Sequence, residues 1–151
     1  MIPPWKPSVV YPYYLAYFNE LAGGPRRGHE RFVDSNLDWG QELKGLKRWL
    51  DAHRVTEPIN LCYFGTADPR YYQIAHFNTP GSYRLEPQER GVRVPGLLAI
   101  SATQLEGAYY TAKYRAALAQ VLAGARLVDV VGYSIFIYRL DGPAQQRPLV
   151  R

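Results

Sequence analysis

The sequence has little cysteine, no long apolar run and no recognisable secretion signal. Cys62 is the single cysteine among 151 residues, so one chain can form neither a disulfide nor a four-thiolate metal site. It stands in an apolar run without a neighbour that would activate its thiol, which favours a small core residue over a catalytic thiol. No run reaches the ~18 apolar residues that a membrane-spanning helix needs. The first residues lack the basic start and apolar core of a signal peptide, and we expect the chain as given to be soluble.

The common catalytic and nucleotide-binding motifs are also missing. The sequence contains no G-x-x-x-x-G-K-[ST], no G-x-G-x-x-G after a strand and no G-x-S-x-G. His29, His53 and His76 are not at metal-ligand spacings, and none neighbours a Ser or Cys nucleophile. We therefore assign no catalytic residue, no metal ligand and no cofactor.

Composition indicates a folded domain of ordinary size. Hydrophobic residues make up 47% of the chain and charged residues 21%, which excludes a disordered polymer and allows a sizeable core. The net charge of +5 comes from 18 basic and 13 acidic residues that are scattered along the chain. A solvated surface explains this excess better than binding to nucleic acid or to an anionic membrane does.

Apolar periodicity and turn residues predict strands that alternate with helices. The predicted elements are a helix at Tyr11–Ala22, a strand at Phe32–Val33, a helix from about Asp38 with an apolar stripe to Leu50, a strand at Ile59–Phe64, a helix at Pro69–Phe77, a loop over 82–95 that can hold an edge strand near Tyr83–Leu85, a strand at Leu97–Ala102, a helix at Gly107–Leu122 and β runs at 126–131 and 134–140.

This order predicts an α/β fold, a three-layer-like domain with a mainly parallel sheet and helices on both faces. Gly132-Tyr133 separates the last two β runs and indicates a C-terminal antiparallel hairpin, with one long strand interrupted at a glycine bulge as the alternative. The predicted organisation is an extended segment with an aromatic helix over 1–28, the α/β domain over 29–140 and a flexible tail over 141–151.

Polar side chains follow each predicted strand. Asp38 fits an N-cap and Gln41 can close a capping box with it, but capping leaves the other polar groups of that turn unexplained. Because turns after parallel strands meet at one sheet edge, where ligands bind in open α/β folds, we predict a ligand-binding edge. Its candidate residues are Asp34, Ser35, Asn36, Asp38, Gln41, Thr66, Asp68, Ser101, Thr103 and Gln104. Each residue alone also fits a cap or a turn.

The predicted helix at Tyr11–Ala22 has aromatic residues on nearly every side. Tyr11, Tyr13, Tyr14, Tyr17 and Phe18 all belong to it. A helix packed into the core explains this composition. A segment at a membrane–water boundary, where rings with a polar tip are favoured, and a partner surface are the alternatives.

Four motifs together resemble a known family. Tyr13-Tyr-Leu-Ala-Tyr-Phe-Asn-Glu-Leu-Ala-Gly-Gly-Pro25, Asp34-Ser-Asn-Leu-Asp-Trp-Gly-Gln41, Tyr63-Phe-Gly65 and Gly132-Tyr-Ser-Ile-Phe-Ile-Tyr138 look like the C-terminal soluble region of bacterial membrane glycosyltransferases. The similar group is the dolichyl-phosphate-mannose-protein mannosyltransferase type, which uses lipid-phosphate sugars. The first two motifs are long and specific, whereas the last two are short.

The resemblance implies a piece of a larger membrane protein on the periplasmic side of a bacterial inner membrane. The family's catalytic carboxylates lie in its membrane part, so the resemblance carries no catalytic residue to this chain. It implies an accessory domain that packs on the membrane part of the same protein, approaches the lipid surface through residues 11–22 and binds a sugar or an anionic ligand. The alternative is a free-standing α/β enzyme or binding protein for a phosphorylated or sugar ligand. Nucleic-acid binding is the weakest hypothesis, and we predict no nucleic-acid partner.

Overall fold

A computed structural model of the chain describes residues 41–82, 87–107 and 109–149. The elements are α1 Leu43–Ala52, β1 Ile59–Cys62, a 3₁₀ turn Pro69–Tyr72, β2 His76–Asn78, β3 Gly91–Ser101, α2 Ala102–Glu106, α3 Ala112–Ala123, β4 Ala125–Val131 and β5 Ile135–Pro148. The elements predicted at 11–22, 32–33 and 83–85 lie outside the described residues.

The fold is α/β, with one five-stranded sheet in the order β2-β1-β3-β5-β4. β1 pairs parallel with β2 and with β3, whereas β5 pairs antiparallel with β3 and with β4. The sheet is therefore mixed, and the prediction of a mainly parallel sheet holds only for its β2-β1-β3 half. The cause is the hairpin, which places β5 between β3 and β4 and so adds two antiparallel pairs.

Each face of the sheet carries its own apolar core. One core contains Cys62, Leu98, Ile100, Phe136 and Leu140 with Tyr114, Leu118 and Val121 from α3. The other contains Leu43, Leu46 and Leu50 of α1 with Ile59, Leu61, Ala99, Ile135 and Ile137. Neighbouring strand residues belong to opposite cores, as the two-residue period of a strand requires. Helices thus cover both faces, as the sequence predicts.

The predicted C-terminal hairpin is confirmed. Gly132 has φ +56° and Tyr133 has φ +59°, and the Ser134 N–H donates to the Val131 carbonyl oxygen at 3.1 Å. Positive φ at both central residues is the geometry of the hairpin turn whose twist matches the strands. β4 and β5 are therefore two paired strands rather than one strand with a bulge.

Helix α1 begins later than the sequence predicts. Gln41 and Glu42 form a turn, and the first helical bond joins the Leu46 N–H to the Glu42 carbonyl oxygen at 2.8 Å. Glu42 occupies the N-cap position without a side-chain cap. The predicted start near Asp38 is therefore wrong, because the chain still turns at 41–42, and the proposed capping partner of Gln41 lies outside the described residues.

The predicted helix at Pro69–Phe77 is wrong beyond its first turn. Asp68 is the predicted N-cap, and its side chain accepts a hydrogen bond from the Arg70 N–H at 2.8 Å. The turn ends at Gln73, whose φ of +57° is left-handed. The chain then enters β2, because backbone hydrogen bonds to β1 outweigh the weak helical tendency of this short segment.

The predicted helix at Gly107–Leu122 corresponds to α3, which starts later than predicted, at Ala112, and a separate short helix, α2 at Ala102–Glu106, precedes the predicted range. α2 starts directly after β3 and ends at Gly107, which has φ +67°. α3 starts with Thr111 as N-cap, and the Thr111 side chain accepts from the Tyr114 N–H at 3.2 Å.

Across the described ranges, no helix is long and apolar enough to cross a membrane.

The predicted loop over 82–95 and the predicted tail after residue 140 pair with each other. The first residues of β3, 91–94, pair with residues 145–148 of β5, and Leu149 is 3% exposed in the core beneath α3. Residues 141–148 therefore belong to a strand, and the prediction of a flexible tail there is wrong. Prolines and polar residues in both segments hide a pairing that only the partner strand reveals.

A side chain completes the sheet near the start of β1, where the parallel neighbour β3 extends beyond it. Asn60 is 2% exposed. Its Oδ1 accepts from the Arg93 N–H at 2.7 Å, and its Nδ2 donates to the carbonyl oxygens of Arg93 at 2.9 Å and Leu97 at 3.0 Å. The amide thus takes the place of a strand backbone beside the irregularity that interrupts the β3–β5 register between Val94 and Gly96.

Candidate functional site

The carboxyl ends of β1 and β3 lie side by side, because the two strands are parallel neighbours. Ser101 ends β3, and its Oγ accepts from the Phe64 N–H at 3.1 Å. On the other side of β1, the Ser82 Oγ accepts from the Tyr63 N–H at 3.0 Å and donates to the Tyr63 carbonyl oxygen at 3.3 Å. Both serines are 1% exposed. Their hydroxyls complete the backbone hydrogen bonding of the strand ends.

A half-buried phenol lies next to this edge. The Tyr110 hydroxyl is in hydrogen-bond contact with the Gly81 carbonyl oxygen and with the Gln104 side-chain oxygen. Burial, followed by the proximity of Cys62 and Tyr114, raises the pKa of Tyr110 far above the usual value for tyrosine. Tyr110 is therefore a neutral hydrogen-bond donor that ties the segment after α2 to the segment after β2.

Three predicted ligand-binding residues lie at this edge but are buried. Ser101, Thr103 and Gln104 are each no more than 3% exposed. Ser101 and Gln104 have the backbone and phenol partners described above. All three residues follow the same strand, β3, so they do not bring together polar groups from different strands. The hydrogen bonds of Ser101 and Gln104 stabilise the fold.

The other described candidates do not join them. Thr66 and Gln41 are exposed. Asp68 caps the 3₁₀ turn and pairs with the Arg70 guanidinium at 3.0 Å. The remaining predicted site residues lie outside the described residues: Asp34, Ser35, Asn36 and Asp38 of the turn, and Tyr11, Tyr13, Tyr14, Tyr17 and Phe18 of the aromatic helix.

A buried carboxyl group and a buried hydroxyl lie at the same edge near the hairpin turn. Glu42 is 8% exposed, and a methyl group built on Gly132 would fall 2.3 Å from the Glu42 Cδ. The Ser134 carbonyl oxygen accepts from the Ala102 N–H at 2.7 Å. The Ser134 Oγ is buried and has no hydrogen-bond partner among the described residues. This region is tightly packed: the hairpin turn leaves room for the Glu42 side chain only because residue 132 is glycine.

A polar cavity lies beside β2, the edge strand at the end of the sheet away from the β4–β5 hairpin. Its volume is about 690 Å³, within the range of about 300–1,000 Å³ that is usual for small-molecule sites. It is lined by Arg70, His76, Phe77, Asn78, Pro87, Gln88 and Glu89. We call it the β2 cavity. It combines an aromatic ring with amide, imidazole, guanidinium and carboxylate groups.

Several side chains of the β2 cavity are held by second contacts. The Gln88 Nε2 donates to the Ser82 carbonyl oxygen at 2.9 Å. The Glu89 carboxylate accepts from Arg93 at 2.8 Å and from the Gln146 Nε2 at 3.1 Å. These contacts fix the polar groups before a ligand arrives, which lowers the entropy that binding must overcome.

The backbone holds the same region together. The Glu89 N–H donates to the Asn78 carbonyl oxygen at 2.7 Å, so the segment that follows residue 86 adds a hydrogen bond to the outer side of β2. The Arg93 guanidinium lies 3.6 Å from the centroid of the Phe77 ring, a cation–π distance. The lining therefore rests on the sheet rather than on an isolated loop.

Sequence reasoning missed the lining of the β2 cavity. It assigned His76, Phe77 and Asn78 to a helix end and residues 87–89 to a loop, so their proximity had no reason to be expected. The pairing of β2 with β1 brings these segments together. In the part of the chain that the structure describes, no group of three His, Cys, Asp or Glu side chains is arranged to hold a metal ion.

Comparison of the chain with protein-family models, with curated proteins and with solved structures finds no match.

Proposed function

We propose that this chain is an accessory domain of a membrane glycosyltransferase and that it binds a sugar or sugar-phosphate group in the β2 cavity. The observation that carries the binding role is the cavity itself, with its fixed polar groups and its aromatic side chain. The parent enzyme class rests on the resemblance of the motifs at residues 13–25 and 34–41. Reaction chemistry belongs to the membrane part in that proposal.

The arrangement of the polar groups favours binding over catalysis. At the strand-end edge, the hydroxyls of Ser82 and Ser101 bond to backbone groups, so they hold loops in place. In the β2 cavity, the Glu89 carboxylate is fixed by Arg93 and Gln146. A carboxylate with two such partners is a positioned hydrogen-bond acceptor, the kind of group that orients hydroxyls in a binding site.

Two measurements test the proposal. The purified 151-residue chain, incubated with a lipid-phosphate sugar and an acceptor peptide, is expected to transfer no sugar. The same chain is expected to bind sugars or sugar phosphates, with NMR signals of residues 76–78 and 87–89 shifting on titration. Glycosyl transfer by the chain alone would refute the accessory role, and the absence of any shift in the cavity would refute the binding role.

The native gene tests membership of a larger protein. The proposal expects several apolar stretches of about 20 residues to be encoded before the codon of Met1. A native reading frame that starts at Met1 would instead favour a free-standing binding protein with the same cavity.

A further inference from the structure

We infer that the β2 cavity selects a neutral, hydroxyl-rich ligand, a saccharide without a phosphate group. This inference rests on the proposed binding function and narrows it to one ligand class. The reason is the charge balance of the cavity. Its described lining contains one arginine, Arg70, and one acidic residue, Glu89, so these two formal charges cancel.

Arg70 in the lining and Arg93 beside the cavity are already paired with carboxylates. The Arg70 Nε lies 3.2 Å and 3.3 Å from the two carboxylate oxygens of Asp68, and its Nη2 lies 3.0 Å from one of them. The Arg93 Nη2 lies 2.8 Å from the Glu89 Oε1. A phosphate ligand would have to displace these carboxylates or share a guanidinium with them. The Arg70 contact is forked and charge-assisted, whereas Arg93 makes one contact with Glu89, and both pairs are partly exposed to solvent. An incoming anion would have to compete with these carboxylates for each guanidinium group.

Neutral hydroxyl groups fit the same lining. A sugar hydroxyl both donates and accepts, and the lining contains amides, an imidazole and a fixed carboxylate. The His76 Nδ1 and the Asn78 Nδ2 already contact the carbonyl oxygens of Ile74 and Pro87. The Gln88 amide is anchored through its Nε2, and its Oε1 can accept from a ligand. The Phe77 ring supplies apolar surface for the C–H face of a sugar ring on the side that the Arg93 guanidinium leaves uncovered. Its contact with the Arg93 guanidinium keeps that arginine on the ring and on Glu89.

The experiment compares matched ligands on the ¹⁵N-labelled full chain by NMR titration. The probes are methyl α-glucopyranoside, methyl α-mannopyranoside, glucose 1-phosphate and inorganic phosphate. We expect at least one methyl glycoside to shift the signals of Asn78, Gln88 and Glu89. We also expect glucose 1-phosphate to bind no more tightly than the neutral glycosides and inorganic phosphate to shift none of these signals.

The outcomes separate the inference from the proposed function. Binding of glucose 1-phosphate in the cavity about tenfold more tightly than the glycosides, a difference of about 1.4 kcal/mol, would refute the neutral-ligand inference and leave the binding function standing. Shifts from the glycosides at residues away from the cavity would refute the inference as well. No shift with any probe would refute both.

Alanine substitutions of two glutamines, one in the cavity and one outside it, provide the control. Gln88→Ala is expected to weaken glycoside binding about fivefold or more, roughly one lost hydrogen bond. Gln120→Ala, at an exposed position of α3, is expected to leave it unchanged. Gln88→Glu keeps the side-chain length and serves in place of Gln88→Ala if that variant lowers the melting temperature. Equal affinity of the Gln88 and Gln120 variants would refute the assignment of Gln88 to the site.

Discussion

The side chain of Asn60 should be one of the most sensitive positions of the sheet. Its amide makes three hydrogen bonds with the backbone of β3, at 2.7, 2.9 and 3.0 Å, and the residue is 2% exposed. Asn60→Ala leaves the Arg93 N–H and two carbonyl oxygens, those of Arg93 and Leu97, without this partner. A buried polar group that loses its partner costs about 1–3 kcal/mol. Because water can reach the Arg93 side of the site, we expect a total loss of about 3 kcal/mol.

Urea denaturation followed by circular dichroism measures this loss as a lower midpoint with an unchanged slope. Hydrogen exchange adds a local readout, since the Arg93 amide should exchange faster in the variant than in the wild type. Asn60→Asp, which has nearly the same shape, should be at least as destabilising at pH 7. A carboxylate offers no donor to the two carbonyl oxygens, and a buried charge without a partner is costly.

Gln145→Ala is the matched control, because it also truncates an amide side chain in the sheet but at an exposed position of β5. Its effect should stay within about 0.5 kcal/mol. If Asn60→Ala lost no more stability than Gln145→Ala, the claim that this amide replaces a strand backbone would be wrong. The same conclusion would follow if exchange at Arg93 stayed at the wild-type rate.

Two further predictions concern the hairpin turn and the half-buried phenol of Tyr110. Gly132→Ala should cost more than about 2 kcal/mol in urea denaturation, because an L-residue is strained at φ +56° and its methyl group would overlap Glu42. Gly124→Ala, at φ −101°, should be nearly neutral, and equal losses would contradict this account. Since the folded-state pKa of Tyr110 is raised, its contribution to stability is fully present below the unfolded value of about 10 and falls as the pH rises above it. The stability difference between wild type and Tyr110→Phe, measured at pH 8 and pH 11, should therefore shrink at pH 11; a constant difference would show that Tyr110 ionises normally.

The parts of the fold that sequence reasoning predicts are those that local patterns determine. Ile59–Cys62 forms a strand because its short, mostly apolar run is buried within the sheet. Gly132 marks the hairpin because the turn needs a positive φ, which glycine adopts readily. β2 escapes prediction because His76–Asn78 shows no alternation of its own and becomes a strand through pairing with β1. Residues 141–148 escape for the same reason, since their partner is the equally irregular start of β3.

The candidate site shows a different limit. The sequence predicts Ser101 and Gln104 as ligand-binding residues because turns after parallel strands meet at one edge of a sheet, and both residues lie at that edge, at the end of β3. The same position, however, leaves backbone N–H groups at the ends of strands without a strand partner, as at Phe64. A serine or glutamine that satisfies such a group has the same residue type, spacing and location as one that binds a ligand.

Burial separates the two cases. Ser101 and Gln104, at 1% and 3% exposure, have their hydrogen bonds directed into the protein. Gln88 in the β2 cavity is half-buried and borders open space. Local patterning cannot predict which polar group faces the solvent here, because the answer depends on β2 pairing at the sheet edge and on the segment after residue 86 crossing beside it. In this fold, polar residues at the strand ends therefore indicate first that backbone groups there need hydrogen-bond partners. Ligand binding should be tested first at the edge strand β2.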